Sequence, residues 1–306
     1  MAFTDIRAHK MGIGTWAWGD RLFWSLGAPA YSLDDMRAAY QVSLDAGVRL
    51  FDTAEVYGGR ASEGILGALS NGGPDDLYIA TKCFPYPWRL FPKYSLPAAA
   101  RGSLKRLQRP SIDLYQMHWP TPLVSPERWM HAMADAKEAG LISQIGVSNY
   151  GRRNLERAQR TLEKGGHRLD SNQIQYSLLQ RSAETSGLLD LCKDLDVAVI
   201  AYSPLAQGLL TGKYTPDKRP GGVRGLRFGR RQLQRAHDLS VAMRKIGENY
   251  GERSPAQVAI NWCIAKGTIP IPGAKKARQA EENVGSLGWQ LSEADVAQLD
   301  ALATNR

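Results

Sequence analysis

Three short stretches of the chain carry groups able to hold or move a proton. They are Phe51-Asp52-Thr53-Ala54-Glu55-Val56-Tyr57, Ala80-Thr81-Lys82 and Tyr115-Gln116-Met117-His118-Trp119-Pro120, and each follows or closes a short apolar run. A lysine beside a tyrosine favours the phenolate and should lower the phenol pKa from about 10 toward the working range, while a carboxylate beside that lysine keeps it charged and in place. Singly, each residue has a plainer reading. A Tyr or Asp in a loop is usually a turn or surface residue, and His118 next to Trp119 fits a hydrogen-bonded core histidine. Their coincidence on consecutive strand ends points to catalysis.

Those ends have to be placed by a scaffold. Strand-like runs are expected at Met11–Thr15, Leu50–Thr53, Leu77–Lys82, Ile112–His118, Gln144–Ser148, Leu169–Gln173, Val197–Tyr202 and Thr268–Ile271. Between them lie amphipathic segments with helix punctuation. Ser32 and Asp35 have capping-box spacing and Gly47 ends that helix, while Ser125-Pro126 and Ser254-Pro255 open helices that Gly140 and Gly267 close. Strand and helix alternate without a linker or composition break, which predicts a single (β/α)8 TIM barrel, residues 1–306, with the doubly wound open sheet as the alternative. Ser292–Ala303 reads as an extra C-terminal helix, and a barrel puts function at the strand C-termini. No Gly-x-Gly-x-x-Gly follows any strand, and Gly12–Gly19 has the wrong spacing, so a Rossmann dinucleotide site is disfavoured.

Composition is that of an ordinary globular chain: 306 residues, 43% hydrophobic and 23% charged, with 39 Lys+Arg against 30 Asp+Glu. No apolar stretch has the length of a signal peptide or a membrane span, so a cytoplasmic protein is expected. Cys83, Cys192 and Cys263 have neither disulfide nor zinc spacing; they read as packing residues, Cys83 with a somewhat activated thiol beside Lys82. The basic excess is local. Between Thr211 and Arg235 stand Lys213, Lys218, Arg219, Arg224, Arg227, Arg230, Arg231 and Arg235 against Asp217 alone. The Gly and Pro content of this segment predicts a long basic loop after strand 7, either an anion-binding flap or a solvated charge run.

Gly12-Ile13-Gly14-Thr15-Trp16, the Phe51–Gly58 stretch, Thr81-Lys82, His118-Trp119-Pro120, Gly146–Tyr150, Asn172-Gln173, Ala201–Leu205 and Ile271–Ala274 together resemble the aldo-keto reductase superfamily, in order, from Gly12 to about Asn283. Ser203–Tyr214 is similar to the branch of prokaryotic and plant reductases related to potassium-channel β subunits. The resemblance implies a catalytic tetrad of Asp52, Tyr57, Lys82 and His118. In it Tyr57 would protonate the carbonyl oxygen as hydride arrives, Lys82 with Asp52 would lower its pKa, and His118 would orient or polarise the carbonyl. A carbonyl gaining a hydride develops oxyanion charge, which donors at these strand ends can meet.

The same resemblance implies a nicotinamide cofactor on the barrel. Ser148, Asn149 and Gln173 would bond its carboxamide, Tyr202 would stack on the ring near Trp16, and Ser203, Pro204, Leu205 and Lys213 would hold the pyrophosphate. At the adenosine end this chain departs from the better-known branch, with Gly273 and Ala274 before Lys275, then Gln279, Glu282 and Asn283. Lys275 and the basic loop, through Arg219 and Arg224, still offer charge for a 2′-phosphate, so NADPH is expected. Trp16, Trp24, Trp88 and Trp119, with Trp18, Phe23, Phe84 and Tyr86 nearby, would wall the pocket for a small-molecule carbonyl substrate. Two other readings compete: a cofactor-sensing regulatory subunit with incidental turnover, and a nucleic-acid binder. The second lacks any recognised motif beside its charge. Neither a nucleic-acid nor a membrane partner is expected, and the sequence carries no signature of oligomeric state.

Overall fold

A computed structural model describes residues 5–20, 31–221, 225 and 227–304. Eight strands, β1 (Gly12–Gly14), β2 (Leu50–Asp52), β3 (Tyr78–Cys83), β4 (Ile112–Met117), β5 (Ile142–Ser148), β6 (Ser171–Gln175), β7 (Ala198–Tyr202) and β8 (Ile269–Ile271), form one sheet in sequential order. All seven neighbouring pairs are parallel. The circle closes through a parallel bridge between Gly14 and Gly273 and a bond from the Gly14 amide to the Pro272 carbonyl at 3.1 Å. A side chain at Gly14 would stand 2.9 Å from the Ile271 carbonyl oxygen, so the closing seam requires glycine there. The expected TIM barrel is observed.

The helices fill the crossovers. The first five are α1 (Leu33–Asp45), α2 (Ala61–Ser70), α3 (Pro92–Leu107), α4 (Pro126–Glu138) and α5 (Arg152–Lys164). Then come the short α6 (Ser182–Thr185) and α7 (Leu188–Asp194), the long α8 (Arg230–Glu248), and α9 (Pro255–Ala265), α10 (Ala277–Val284) and α11 (Glu293–Thr304). The capping boxes at Ser32/Asp35 and Ser254/Gln257 are both formed, and Gly47, Gly140 and Gly267 take positive φ just past their helices. The Ser292 hydroxyl accepts from the Asp295 amide at 3.1 Å and opens α11, the extra helix expected from that spacing. Among the described residues no helix is long and apolar enough to cross a membrane.

Strand ends shift by up to two residues, as at β6, expected at Leu169–Gln173 and observed at Ser171–Gln175, and one boundary differs by more. The expected basic loop reached Arg235, but Arg230, Arg231 and Arg235 belong to α8, which Gly229 opens. The reason is periodicity beneath the charge: Leu233, Ala236, Leu239 and Met243 recur on one buried face, and Leu233 and Ala236 pack against Leu209 and Phe228. Trp24, Phe23 and Arg224 lie outside the described residues.

Inside the barrel an apolar layer of Leu50, Tyr78, Ala80, Leu114, Ile200, Ile269 and Ile271 is continuous with Ile6, whose amide donates to Gln144 Oε1 at 3.0 Å. Side chains alternate along a strand, so the residue two positions after each inward residue also points inward, one layer nearer the C-terminal mouth. Two past Leu50 is Asp52, two past Ala80 is Lys82, two past Leu114 is Gln116, and two past Ile200 is Tyr202. The barrel thus carries a polar layer on an apolar one.

Candidate active site

Asp52 and Lys82 are both buried, and the Lys82 ammonium lies 2.5 Å from Asp52 Oδ1. Lys82 Nζ also donates to the Thr53 carbonyl at 2.8 Å and to the Tyr57 hydroxyl oxygen at 3.2 Å. The second Asp52 oxygen accepts from Gln173 Nε2 at 2.8 Å and Gln116 Nε2 at 3.2 Å. A buried ion pair is tolerable only where the remaining lone pairs and protons are met, and here they are. Burial favours the neutral amine of Lys82, but Asp52 and then Tyr57 outweigh it and hold its pKa above the ordinary lysine value.

Tyr57 leaves the barrel on a 3₁₀ turn, Tyr57–Arg60, directly after β2. Gly58 follows it at φ 56°, and a Cβ there would stand 2.8 Å from the Trp18 carbonyl oxygen, so the turn packs backbone to backbone. Burial pushes the Tyr57 phenol above its usual pKa; the Lys82 charge opposes this without cancelling it, and Asp52 adds to the rise. The expected lowering of the phenol pKa is therefore corrected. The Lys82 charge is already engaged by Asp52 at 2.5 Å, and too little is left to offset the loss of water around the phenol. Tyr57 is held as a protonated donor.

His118 follows β4, its amide bonded to the Cys83 carbonyl at 3.0 Å. Its ring stands edge-on to Tyr57 with centroids 5.6 Å apart and edge-on to Phe84 at the same separation. Burial, helped by the charge on Lys82, lowers its pKa to about 2, so the imidazole is neutral, and its Nδ1 is buried without a hydrogen-bond partner. A hydrogen-bonded core histidine is not what is seen.

These groups face a cavity of about 820 Å³ that runs across the mouth toward β8. Trp16, Ser148, Asn149, Gln173, Tyr202, Ser203, Pro204, Leu205, Lys213, Gly273, Lys275 and Gln279 line it together with Asp52, Tyr57 and His118. Asn149, at φ 61°, is clamped on all sides. Its amide bonds the Gln173 carbonyl at 2.8 Å, its Nδ2 donates to Ser148 Oγ at 3.0 Å, and its Oδ1 accepts from the Tyr202 hydroxyl at 3.0 Å. Gln173 Nε2 is directed at Asp52, which ties the β5–β7 wall of the cavity to the ion pair.

Several expected residues lie elsewhere. Glu282 accepts a hydrogen bond from Ser254 Oγ at the start of α9, and Asn283 Nδ2 donates to the Gly273 carbonyl at 3.3 Å and so braces the loop after β8; neither lines the cavity. Trp88 is 73% exposed and stacks on Tyr86 at 4.6 Å, outside the cavity. Trp18 is buried and donates to the Ala274 carbonyl at 2.8 Å. Trp16 and Trp119 do line the cavity, Trp16 with its ring 6.3 Å from that of Tyr57. Cys83 is corrected as well: burial pushes its thiol up to about 12, so it is inert as a nucleophile. Gln116, Gln175 and Gln207 were not expected at the site, and Arg227, expected only as one cation of the basic segment, lines the cavity. Strand alternation with Leu114 could have found Gln116, whereas Gln207 and Arg227 depend on how the chain returns after β7.

A parallel barrel with a buried Lys–Asp–Tyr cluster and a histidine beside a long cleft at its C-terminal mouth is the architecture of a barrel enzyme. The chain belongs to the aldo/keto reductase family, which matches residues 10–304. It is similar to a chloroplastic pyridoxal reductase of Arabidopsis thaliana, 40% identical over 312 aligned residues that cover 97% of this chain and 84% of the relative. An NADH-specific methylglyoxal reductase of Escherichia coli is 32% identical, with 98% and 96% covered. Among solved structures, an aldo/keto reductase from Klebsiella pneumoniae in complex with NADP and acetate superposes with a TM-score of 0.74 at 28% identity, over 96% of this chain and 91% of that one.

Proposed function

We propose that this chain reduces an aldehyde or ketone to the alcohol with NADPH, Tyr57 acting as general acid. The observation that carries this reading is the Tyr57 hydroxyl, 3.2 Å from a lysine that Asp52 holds charged, on the wall of the cavity and beside a neutral imidazole. A phenol kept protonated by burial gives up its proton only when a strong base forms next to it, which is what a carbonyl oxygen becomes during reduction. Lys82 then stabilises the phenolate left behind, and the uncharged His118 can hold the carbonyl oxygen without competing as an acid.

The cavity suits the cofactor on the chemistry of its donors. Ser148 and Asn149 offer amide-binding groups near the reacting end, Gln207 Oε1 is buried without a partner, and Lys213, Arg227 and Lys275 gather cations along the far wall. When bound there, NADPH supplies the hydride. Tyr202 offers an aromatic face at the end of β7, and the Ser203–Leu205 backbone with Lys213 can meet the pyrophosphate. Arg227 and Lys275, which the pyrophosphate does not need, favour the 2′-phosphorylated cofactor; the similar aldo/keto reductase from Klebsiella pneumoniae was solved in complex with NADP.

Steady-state oxidation of NADPH with a panel of aldehydes, pyridoxal and methylglyoxal included, tests the reading. Sustained turnover with at least one carbonyl supports it. Tight NADPH binding with no turnover across the panel would instead favour a cofactor-sensing role.

A further inference from the structure

Glu55 and Arg89 form a buried ion pair at the mouth, with side-chain exposures of 3% and 11%, that the chemistry of the tetrad does not use. The guanidinium grips the carboxylate as a fork: Nη1 donates to Oε1, and Nη2 to Oε2 at 3.0 Å. Nη1 also reaches the Phe84 carbonyl at 2.7 Å and Cys83 Sγ at 3.2 Å, and the charge lies 5.1 Å from the centre of the Tyr86 ring. Glu55 Oε1 accepts in addition from the Phe84 amide at 2.7 Å. Removing two charges from water is costly, and here the forked contact and the further bonds to Phe84 offset that cost.

Two loops meet here. Glu55 stands two residues before Tyr57, on the segment that leaves β2. Cys83 ends β3, Phe84 follows it, and both support His118: the Cys83 carbonyl accepts the His118 amide at 3.0 Å, and the Phe84 ring meets the imidazole edge-on at 5.6 Å. One guanidinium therefore touches the supports of both Tyr57 and His118, whose rings are 5.6 Å apart.

We infer that the Arg89–Glu55 pair is a positioning device that fixes Tyr57 and His118 relative to one another. Arg89 and Glu55 act through these two residues and touch no reacting atom. The inference rests on the reductase reading for its kinetic consequence but not for its structural one. Misplacing an acid by about 1 Å can cost on the order of 10²-fold in rate.

The experiment compares Arg89→Met, Arg89→Lys, Glu55→Gln and the Glu55→Gln/Arg89→Met double variant with the wild type and with Arg160→Met, an exposed control on α5. For Arg89→Met we expect kcat to fall about 10- to 100-fold, the dissociation constant for NADPH to stay within about twofold, and the isotope effect with deuterated NADPH to rise as the chemical step slows. The double variant should be no worse than Arg89→Met alone, and Arg89→Lys should recover part of the loss. Should Arg89→Met not fold, the Arg89→Lys and Glu55→Gln pair carries the same comparison. Histidine-selective NMR without substrate should move the His118 ring signals in Arg89→Lys and Glu55→Gln, and leave those of the other four histidines in place. Unmoved His118 signals overturn the inference even in an active enzyme. Moved signals in a protein with no turnover uphold the positioning role and remove the reductase reading instead. Additive losses in the double variant, or wild-type kcat in folded Arg89→Met, also overturn it.

Discussion

On the β2–β4 side of the mouth the charged tips are closed on one another: Lys82 on Asp52 and Tyr57, Glu55 on Arg89, and Glu63 of α2 on Thr81 and Arg106. On the β5–β8 side the wall is built differently. Asn149, Ser203, Ala206 and Gln207 hold left-handed backbone without being glycine, and the ammonium groups of Lys213 and Lys275 sit over tyrosine rings, 5.0 and 4.9 Å from their centres. Left-handed non-glycine residues cost roughly 1–3 kcal/mol each and persist where the surroundings dictate them. One side closes its charges on one another, and the other presents left-handed backbone and cations to the cavity. On the proposed reading this difference is a division of labour: the first side would set the rate and the second the choice of cofactor.

The comparison breaks most readily at Tyr57. Tyr57→Phe keeps the ring and removes the proton, so carbonyl reduction should fall by at least about 10²–10⁴-fold while NADPH binding, read by tryptophan quenching, stays within about twofold. Near wild-type turnover at saturating NADPH would remove the assignment of the acid.

Lys82→Met should follow, with a rate loss of about 10²-fold and a stability loss of roughly 3–5 kcal/mol, because Asp52 is left buried without its cation. The Tyr57 pKa, already raised by burial, should rise further once the opposing charge is gone, so the alkaline limb of the kcat profile should move to higher pH. Denaturant melts and a pH–rate profile check both parts; an unmoved limb would make Lys82 structural only.

On the other side, Lys275→Ala should weaken NADPH by about 1.5–3 kcal/mol if its contact with the 2′-phosphate is well formed, and leave NADH nearly alone. Dissociation constants for both cofactors at fixed ionic strength decide it. Equal losses, or tighter NADH binding in the unmodified protein, would transfer cofactor choice away from these cations.

The smallest effect expected is none. With its pKa lowered to about 2, His118 stays neutral from pH 5 to 8 and should put no limb into the kcat profile there. An acidic limb near pH 6 that disappears in His118→Asn would show a charged imidazole in the working enzyme.

Much of this was legible in the order of residues. Strand alternation puts Asp52, Lys82 and Gln116 one layer above Leu50, Ala80 and Leu114, and cap spacing at Ser32, Ser254 and Ser292 marks three helix starts, because both signals are local and repeat with the period of the backbone. The reach of α8 was hidden by the charge of Arg230, Arg231 and Arg235, and shows only in the apolar face beneath. The direction of the Tyr57 pKa was not local at all. Sequence supplies the lysine neighbour, but burial of the phenol and the 2.5 Å grip of Asp52 on that lysine arise from closing eight strands into one barrel. For the same reason the chain itself determined which residues meet at the mouth, while the removal of Glu282, Asn283 and Trp88 from the cavity and the link from Arg89 through Phe84 to His118 were decided only by tertiary packing, where residues distant in sequence compete for the same water-excluded space.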